Sequence, residues 1–591
     1  MKKTLLSSII LAGLIFSSCS NFLEETAYSS FDKEEAYSNP TLVYLNAVAS
    51  VYTSMGLQGV MWDADFGTGG INYLSEYSAD LGIVQGRRSD WVDGGVHQQI
   101  FLHSWTPSHN LFLDSWNYQY QVIGLCNASI DDLQAVLDEG GDEFLQDYIN
   151  ELRAVRAYYY MSLVNMYARI PIVTSSSMSV SDVAQSTRKE AYEFVRDELT
   201  EIIPTLSDEN GVKSSSEYYG RMTKAAGYMM MARLAANAAI WSQDDWNDGR
   251  FVGGIDAVES TVTELGKQQM ITLDGETRNA WETVIYCQEK LAEMGYQLNP
   301  DDHENFTTNN ENSVENIFVR PNNATTYQLR QRLMTYSLHS NHTGALANAT
   351  GSNGPAATTY AAELFGVTYD EQTDVTDYSN ADPRWDMFFY YGDIVVNGEP
   401  VPMSSDYKQT LSYLPYAAKI DHGSPLSGSK EEYEMWCAGA RVRKVEIDPA
   451  VDQFSWAFCY QEADVVVYRY ADALLLAAEA KYRLGDTGGA LADINAIRNR
   501  VGAQPFSALT SIKDILDERG REMVWEPTRR EDLIRYGMYT EPTRDKYKGV
   551  PTATGAGDWV DDETGYTLVF PIPVNVLNLN TNLSQNPGYS G

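Results

Sequence analysis

The sequence predicts a mostly α-helical protein, in which paired helices form a scaffold and a loop-rich insertion contributes small β elements. Three observations support this prediction. Apolar residues recur at helical spacing through most of the segment from Tyr28 to Arg250, Asn, Thr, Gly and Ser dominate residues 296–460, and strong helical periodicity returns from residue 461 onward. We therefore expect one large unit over residues 19–591, with an N-terminal helical part at 19–295, the loop-rich part at 296–460 and a C-terminal helical part at 461–591.

The N-terminal part contains five stretches of helical periodicity. They lie at 41–51, at 111–127, after Asp142 as far as Ile170-Pro171, at 186–203 and at 223–241. Between the first two, residues 56–107 are rich in Gly, Asp and aromatic residues, which predicts a long loop region. Such loops are uncommon in compact domains unless they carry function. We therefore expect residues 56–107 to contribute to a ligand site.

The C-terminal part contains the clearest helix pair. Residues 468–484 are almost uniformly apolar on one face, Gly485-Asp486 interrupts the pattern, and residues 490–501 form the partner helix. The small residues around this break resemble a tetratricopeptide unit, in which Ala and Gly let two antiparallel helices approach closely. Residues 156–170 resemble another first helix of such a unit. In the loop-rich part, the β-like runs at 317–319 and 393–396 predict small sheets.

The N-terminus predicts a lipoprotein signal peptide over residues 1–18. Two lysines follow Met1, a short apolar run extends from Leu5 to Phe16, and Ser17-Ser18 precede Cys19. The apolar run is too short for a permanent membrane span, which needs about 20 residues. Ser17-Ser18-Cys19 resembles a bacterial lipobox, whose cysteine is lipidated and becomes the first residue of the mature chain. An ordinary signal peptide with an incidental cysteine is the alternative.

Composition narrows the class of function. The formal net charge is −38, from 81 acidic and 43 basic residues, which disfavours nucleic-acid binding because phosphate neutralisation needs clustered Lys and Arg. The cysteines form no C-x-x-C pair and the histidines no H-E-x-x-H motif, so we expect no metal and no cofactor. Neither G-x-S-x-G nor a phosphate-binding loop occurs, and we expect no catalytic residues.

Motifs that resemble those of one known family occur through nearly the whole chain. They are, in chain order, Cys19 through Glu24, Asp90 through Gly95, His103 through Pro107, Glu151 through Ala154, Ile170 through Val173, Arg221 through Ala226, Glu315 through Phe318, Asp382 through Arg384, Tyr468 through Asp472, Asn495 through Arg498, Phe570 through Pro573 and Gln585 through Tyr589. Together they resemble the SusD/RagB family of outer-membrane nutrient-binding lipoproteins. One motif departs from the family pattern, because Pro527 follows Glu526 where the family usually has glycine. Proline cannot adopt a positive φ, so this turn differs locally.

The resemblance implies a tetratricopeptide-like fold with a loop-rich ligand face and no catalytic activity. It also implies an oligosaccharide ligand, or less often a peptide, and a TonB-dependent SusC-like barrel that the lipoprotein caps. The location would be the outer membrane, with the lipid on Cys19 as anchor and the protein facing the cell exterior. Some members of the family bind calcium, but this sequence has no D-x-D-x-D-G loop.

Sugar recognition needs aromatic rings for the C–H faces of pyranoses and planar polar groups for their hydroxyls. Two loop regions offer both. The candidate ligand-binding residues are Trp62, Tyr73, Arg87, Arg88, Asp90 and Trp91 in the first region and Asn322, Tyr327, Arg330 and Tyr336 in the second. Asp90-Trp91 is alternatively a structural turn. The pair Arg87-Arg88 could bind the carboxylate of an acidic sugar, or could be an ordinary surface pair satisfied by nearby acids.

Two other classes of function compete with a glycan-binding protein. A surface glycoside hydrolase would also be lipidated, acidic and aromatic, and needs two carboxylates about 5–9 Å apart, which a chain with 81 acids cannot exclude from sequence. A scaffold whose repeats bind only protein would share the helical periodicity, but the long polar insertions favour a ligand face.

Overall fold

The computed structural model describes residues 37–55, 70–87, 90–322, 333–347, 349–370, 372–403, 409–417, 429–449, 462–548 and 555–590. Five of the predicted functional residues lie outside these ranges, namely Cys19, Trp62, Arg88, Tyr327 and Arg330. Among the helices in the described ranges, none combines the length and apolar character that a membrane span requires.

Ten α-helices lie in the described residues of the N-terminal part. They are α1 Pro40–Val43, α2 Ala49–Ser54, α3 Ile71–Tyr77, α4 Val96–Leu102, α5 Asn110–Asp138, α6 Phe144–Tyr167, α7 Arg188–Ile202, α8 Lys224–Trp241, α9 Ile255–Gln268 and α10 Ala280–Glu293, and a π-helical turn, Tyr44–Val48, joins α1 to α2. All five predicted helices are confirmed. The prediction of a continuous loop over 56–107 is wrong at α3 and α4, since these short helices depend on tertiary packing rather than on length or propensity.

Neighbouring helices pack on one another and bury apolar faces. Helix α5 packs on α6 and α6 on α7, while α8 packs on α10. The tyrosines at 158–160 are buried in this core, where the hydroxyls of Tyr118 and Tyr159 are 2.9 Å apart. Small residues permit close approach: a Cβ on Gly266 of α9 would lie 2.3 Å from the indole nitrogen of Trp281 on α10. The predicted scaffold of closely packed helix pairs is therefore confirmed.

The C-terminal part completes the same scaffold. Its helices, numbered after the five of the loop-rich part, are α16 Tyr470–Arg483, α17 Thr487–Arg500, α18 Lys513–Met523, α19 Arg529–Arg535, α20 Arg544–Lys548 and α21 Val574–Leu579. The predicted pair is α16 and α17, and α16 also packs on α8 and α10 of the N-terminal part. The helical scaffold is thus discontinuous in sequence and continuous in space.

The loop-rich part contains five short helices and paired strands. The helices are α11 Leu333–Ser337, α12 Ser340–Ala347, α13 Thr359–Leu364, α14 Arg384–Phe388 and α15 Lys430–Cys437. The strands of the described chain are β1 Gly82–Ile83, β2 Met270–Leu273, β3 Glu276–Asn279, β4 Asn316–Arg320, β5 Ala356–Ala357, β6 Thr368–Asp370, β7 Val375–Asp377, β8 Phe389–Tyr390, β9 Gly392–Asp393, β10 Val395–Val396, β11 Glu399–Pro400, β12 Ser412–Tyr413, β13 Arg441–Val442 and β14 Val465–Arg469.

Every sheet within the described residues is a two-stranded antiparallel ribbon. The longest pairing between distant segments joins β4 to β14, with Arg320 opposite Val465 and Asn316 opposite Arg469. This ribbon brings together the two ends of the loop-rich segment, so a long insertion leaves the helical scaffold and returns to it at one place. The strands predicted at 317–319 and 393–396 are confirmed.

Buried ion pairs connect segments of the scaffold that are distant in sequence. Arg469 is fully buried, and its guanidinium donates to Glu526 at 2.7 Å, to Glu522 at 2.7 Å and to Glu315 at 2.8 Å. On α16, Glu479 accepts from Arg535 at 2.7 Å. Buried charges require such partners, because an unpaired charge in the interior is very costly.

Candidate functional site

The two predicted ligand regions meet around His97. The ring centroids of Trp91 and Tyr336 are 5.6 Å apart, and Trp91 also lies 5.2 Å from the imidazole of His97. The hydroxyl of Tyr73 is 2.7 Å from Nδ1 of the same histidine. Three candidate aromatic residues from distant parts of the sequence thus form one cluster, which we call the Trp91 cluster (Tyr73, Trp91, His97 and Tyr336).

A small cavity adjoins the Trp91 cluster. Its walls include Tyr73 and Tyr77 of α3, Tyr336 of α11, and Trp525 with Pro527 from the loop between α18 and α19. The cavity volume is about 70 Å³, and each water molecule needs roughly 10–15 Å³ on this measure. It therefore has room for a handful of waters and not for a sugar ring. A ligand at this place would contact the outer surface of the cluster.

Glu76 contributes an unusual carboxyl group to the cavity. Its side chain is buried beside the two tyrosines of α3, and burial, the largest cause, raises the pKa of Glu76 to about 8. The group is thus protonated at neutral pH and can donate a hydrogen bond. Nearby, the ammonium of Lys444 donates to Glu526 at 2.6 Å, so that this buried cation is paired within the protein.

Trp91 combines a structural and a surface role. Its backbone has a φ of +58°, and its indole nitrogen donates to the carbonyl of Ser352 at 2.7 Å. A Cβ on Gly354 would lie 2.4 Å from the Trp91 ring, so this glycine permits the close packing. Asp90 is exposed, and its backbone bridges to Arg87. These contacts favour the alternative in which Asp90-Trp91 forms a structural turn, although the half-buried ring still reaches the surface.

Arg87 is a structural residue in this fold. Its side chain is fully buried, and its guanidinium donates to the carbonyls of Met435 at 2.8 Å and Ala438 at 3.0 Å. The expectation of an ordinary surface pair is therefore wrong for Arg87, because backbone carbonyls rather than nearby acids satisfy the side chain. The same burial gives no support to recognition of an acidic sugar by this residue.

Asn322 and Tyr73 are also largely enclosed. The side-chain amide of Asn322 donates to the carbonyl of Ala463 at 3.1 Å, and the backbone N–H of Asn322 donates to the Asp464 carboxylate at 2.9 Å. These two hydrogen bonds connect the start of the insertion to its end. Tyr73 is 5% exposed. Among the described candidates, Asp90, Trp91 and Tyr336 retain surface that a ligand can reach.

The sequence reasoning missed three residues of this region: Glu76, His97 and Trp525. Trp525 has a φ of +67°, two residues before Pro527. The replacement of the family's glycine by Pro527 thus lies beside a tryptophan of the cavity wall that has a positive φ. That replacement was the one feature of the sequence that could have drawn attention to Trp525. Nothing in the periodicity distinguishes Glu76 from an ordinary solvent-facing glutamate of a short helix.

Comparison with known proteins identifies the class of this helical scaffold. The sequence-family model of the SusD family matches residues 260–589. A second family model, described as starch-binding and associating with the outer membrane, matches residues 59–235. The chain belongs to the SusD family. The predicted family and fold class are thereby confirmed.

Sequence relatives and solved structures agree with this assignment. The starch-binding protein SusD of Bacteroides thetaiotaomicron is 24% identical over 539 residues, which cover 84% of this chain and 82% of that protein. A laminarin-binding SusD-like protein superposes with a TM-score of 0.60 at 21% identity, covering 94% of this chain and 100% of that one. The surface glycan-binding protein A of Bacteroides thetaiotaomicron, solved with laminarihexaose, gives a TM-score of 0.62 at 20% identity over 92% and 98% of the two chains. At sequence identities this low, the structural similarity establishes the fold alone.

Proposed function

We propose that this protein is a surface-exposed lipoprotein that binds an oligosaccharide and delivers it to a SusC-like TonB-dependent transporter, which it caps. Membership of the SusD family supports the proposal, as do relatives named for binding starch and laminarin. The lipobox-like Cys19 supports a lipid anchor in the outer membrane. Binding without catalysis is part of the proposal.

The observation that carries the proposal is the meeting of two loop regions at Trp91 and Tyr336 on a SusD-family scaffold. Half-buried aromatic rings offer flat apolar faces against which the C–H face of a pyranose can pack. Asp90, which precedes Trp91 in the chain, is exposed. Rings held by packing and hydrogen bonds lose little entropy when a ligand binds.

The first test is a glycan-array screen of the protein beginning after Cys19, followed by calorimetry on each hit. We expect saturable binding of a neutral or acidic oligosaccharide that is recovered intact. Cleavage of the bound glycan would instead establish the hydrolase alternative. Peptide binding with no glycan hit would establish a peptide-binding member of the family, and barrel association without either ligand would leave only the role of a cap.

The Trp91 cluster is tested by Tyr336→Ala, with Tyr482→Ala as the matched control. Tyr482 is a half-buried tyrosine on helix α16 of the scaffold. We expect Tyr336→Ala to weaken glycan binding about tenfold, which corresponds to ~1.4 kcal/mol, and the control to leave affinity unchanged. Equal affinities in both variants would remove the cluster from the proposed site while leaving glycan binding itself intact.

The anchor is tested by Cys19→Ala in cells that lack the transporter partner. We expect the variant to leave the outer-membrane fraction as a folded soluble protein, since the lipid is its only proposed attachment there. Retention of Cys19→Ala in that fraction would contradict the lipoprotein assignment. Co-purification of the wild type with a TonB-dependent barrel, and its loss when the barrel is deleted, tests the cap role separately.

A further inference from the structure

An open cleft of about 640 Å³ lies in the loop-rich part, between helix α12 and the chain from β8 to the turn after β10. Its walls include Tyr390, Tyr391, Asp393 and Asn397 along this chain, with Arg443 beside them. None of these residues lines the small cavity at the Trp91 cluster. The volume falls within the range of about 300–1,000 Å³ that is typical of small-molecule sites.

Two tyrosine rings are fixed in the wall of this cleft. Tyr391 stacks on Tyr378 with centroids 5.0 Å apart and planes at 28°, and its hydroxyl donates to the Asp386 carboxylate. Tyr390 meets the imidazole of His342 edge-on at 4.6 Å. Both rings are half-buried, so each presents part of its surface to the cleft. Rings held in place by other side chains provide preorganised apolar surface.

Arg443 supplies hydrogen-bond donors with spare capacity. The side chain is exposed and lies over Tyr390, with the guanidinium carbon 5.4 Å from the ring centroid. Its guanidinium donates to the backbone carbonyl of Asp386 at 2.7 Å. Among the ion pairs of the described residues, none involves Arg443. A guanidinium has five N–H donors, so most of them remain available to a ligand.

Hydrogen-bond acceptors line the same cleft on backbone that is held by strand pairing. Asp393 is exposed on β9, which pairs with β12. Asn397 and Gly398 have φ values of +52° and +84°, which are typical of the type I′ turn of a tight hairpin. This turn joins β10 to β11 and sets the backbone position of Asn397. The cleft therefore combines two aromatic rings, a guanidinium, carboxylates and an amide.

We propose that this cleft is a second glycan-binding site, which takes a neutral oligosaccharide. The proposal rests on the proposed function, in that the protein must bind glycans at all. Aromatic faces suit the C–H surfaces of pyranose rings, while the amide, carboxylates and guanidinium suit their hydroxyls.

The charge of the cleft decides between neutral and acidic sugars. Asp386 and Asp393 are both exposed there against the single guanidinium of Arg443, in a chain whose net charge is −38. A uronic or sialic acid would be repelled by this field, whereas a neutral glycan is not. The cleft is also open, so a longer chain can extend beyond the residues that contact the wall.

A long glycan that reaches both the cleft and the Trp91 cluster would gain affinity by avidity, because the second contact becomes intramolecular.

The test is calorimetry of the protein beginning after Cys19 with maltohexaose, laminarihexaose and the strongest neutral array hit. An oligogalacturonate is the acidic comparator. Arg443→Met and Tyr391→Ala alter the cleft, Tyr336→Ala alters the Trp91 cluster, and Arg196→Met on α7 is the matched arginine control. Thermal unfolding verifies that each variant is folded, and Arg443→Met is a surface change that leaves the core intact.

We expect Arg443→Met to lower the affinity for the neutral oligosaccharide at least fivefold, both in the wild-type background and together with Tyr336→Ala. Hydrogen–deuterium exchange should show ligand-dependent protection of residues 389–397, lost in Arg443→Met and retained in Arg196→Met.

Unchanged affinity and no protection at 389–397 would overturn the second site while glycan binding by the wild type still upheld the proposed function. Preferential binding of the oligogalacturonate through Arg443 would overturn the neutral class. A wild-type protein that binds no glycan would overturn both proposals.

Discussion

Two arginines show how the helical scaffold differs from the loop-rich part. Arg469 is fully buried at the start of α16, and carboxylates of Glu315, Glu522 and Glu526 accept from its guanidinium. Arg443 is exposed in the cleft and has one backbone carbonyl as acceptor. An arginine whose hydrogen-bond partners are all supplied by the protein has a structural role. An arginine with unused donors is available to a ligand.

The two concave places in the molecule differ in how they are bounded. The cavity of about 70 Å³ beside the Trp91 cluster is enclosed by the short helices α3 and α11 and the loop after α18, whereas the cleft of about 640 Å³ is open and lies between α12 and short ribbons. Side chains that interdigitate closely leave little space between them. The two-stranded ribbons leave more surface uncovered, so a ligand can enter the cleft, whereas at the Trp91 cluster it can contact only the outer surface.

Replacement of Arg469 is expected to have the largest effect on stability. Arg469→Met removes a cation that three buried carboxylates share, although Arg500, Arg384 and Lys444 still pair with them. Breaking a buried pair costs about 3–5 kcal/mol. The control Arg443→Met should change the free energy of unfolding by no more than about 0.5 kcal/mol, as is usual on the surface. Urea unfolding midpoints measure both. Similar losses in the two variants would contradict the division between scaffold and cleft.

Substitution of two glycines by alanine is expected to lower the stability by smaller amounts, through two different mechanisms. Gly266→Ala places a Cβ 2.3 Å from Trp281 between α9 and α10, and overpacking of this kind costs about 1–3 kcal/mol. Gly398→Ala meets nothing within 4 Å but must adopt a φ of +84°, which costs roughly 1–2 kcal/mol for an L-residue. A double variant with Trp281→Phe should relieve the first and leave the second unchanged.

The pH dependence of stability distinguishes a paired from an unpaired buried carboxyl. Burial opposes ionisation of Glu479, but Arg535 and Arg483 lower its pKa to about 2, so the stability that it contributes is present above pH ~4.3 and is lost as the pH falls toward 2. Glu76, with its pKa raised to about 8, behaves in the opposite way: its contribution falls as the pH rises from ~4.3 to 8, because the folded state retains the proton that the unfolded state has lost.

Glu76→Gln isolates this second effect, since glutamine does not titrate. Thermal unfolding of the wild type and the variant between pH 5 and 8 should show the variant gaining stability relative to the wild type as the pH rises. A constant difference across this interval would mean that Glu76 ionises at its ordinary pKa in the folded protein.

The periodic elements could be predicted from the sequence because their signals are local. The helices at 111–127, 223–241 and 468–484 each show an apolar face at the 3.6-residue repeat, and the structure contains all three. The family motifs are local as well. The short helices α3 and α4 were not predictable, since seven residues carry too little periodicity and are stabilised by what packs against them.

The sequence alone determined the helical class, the family and the two loop regions that supply the Trp91 cluster. Only the tertiary structure decided which polar residues are free. Arg87 looked available beside Arg88, yet it is enclosed by the carbonyls of Met435 and Ala438, while Arg443, which no motif marked, lies open in the cleft. The physical reason is that the partners of a side chain come from segments hundreds of residues away, and a local pattern carries no information about which of them converge.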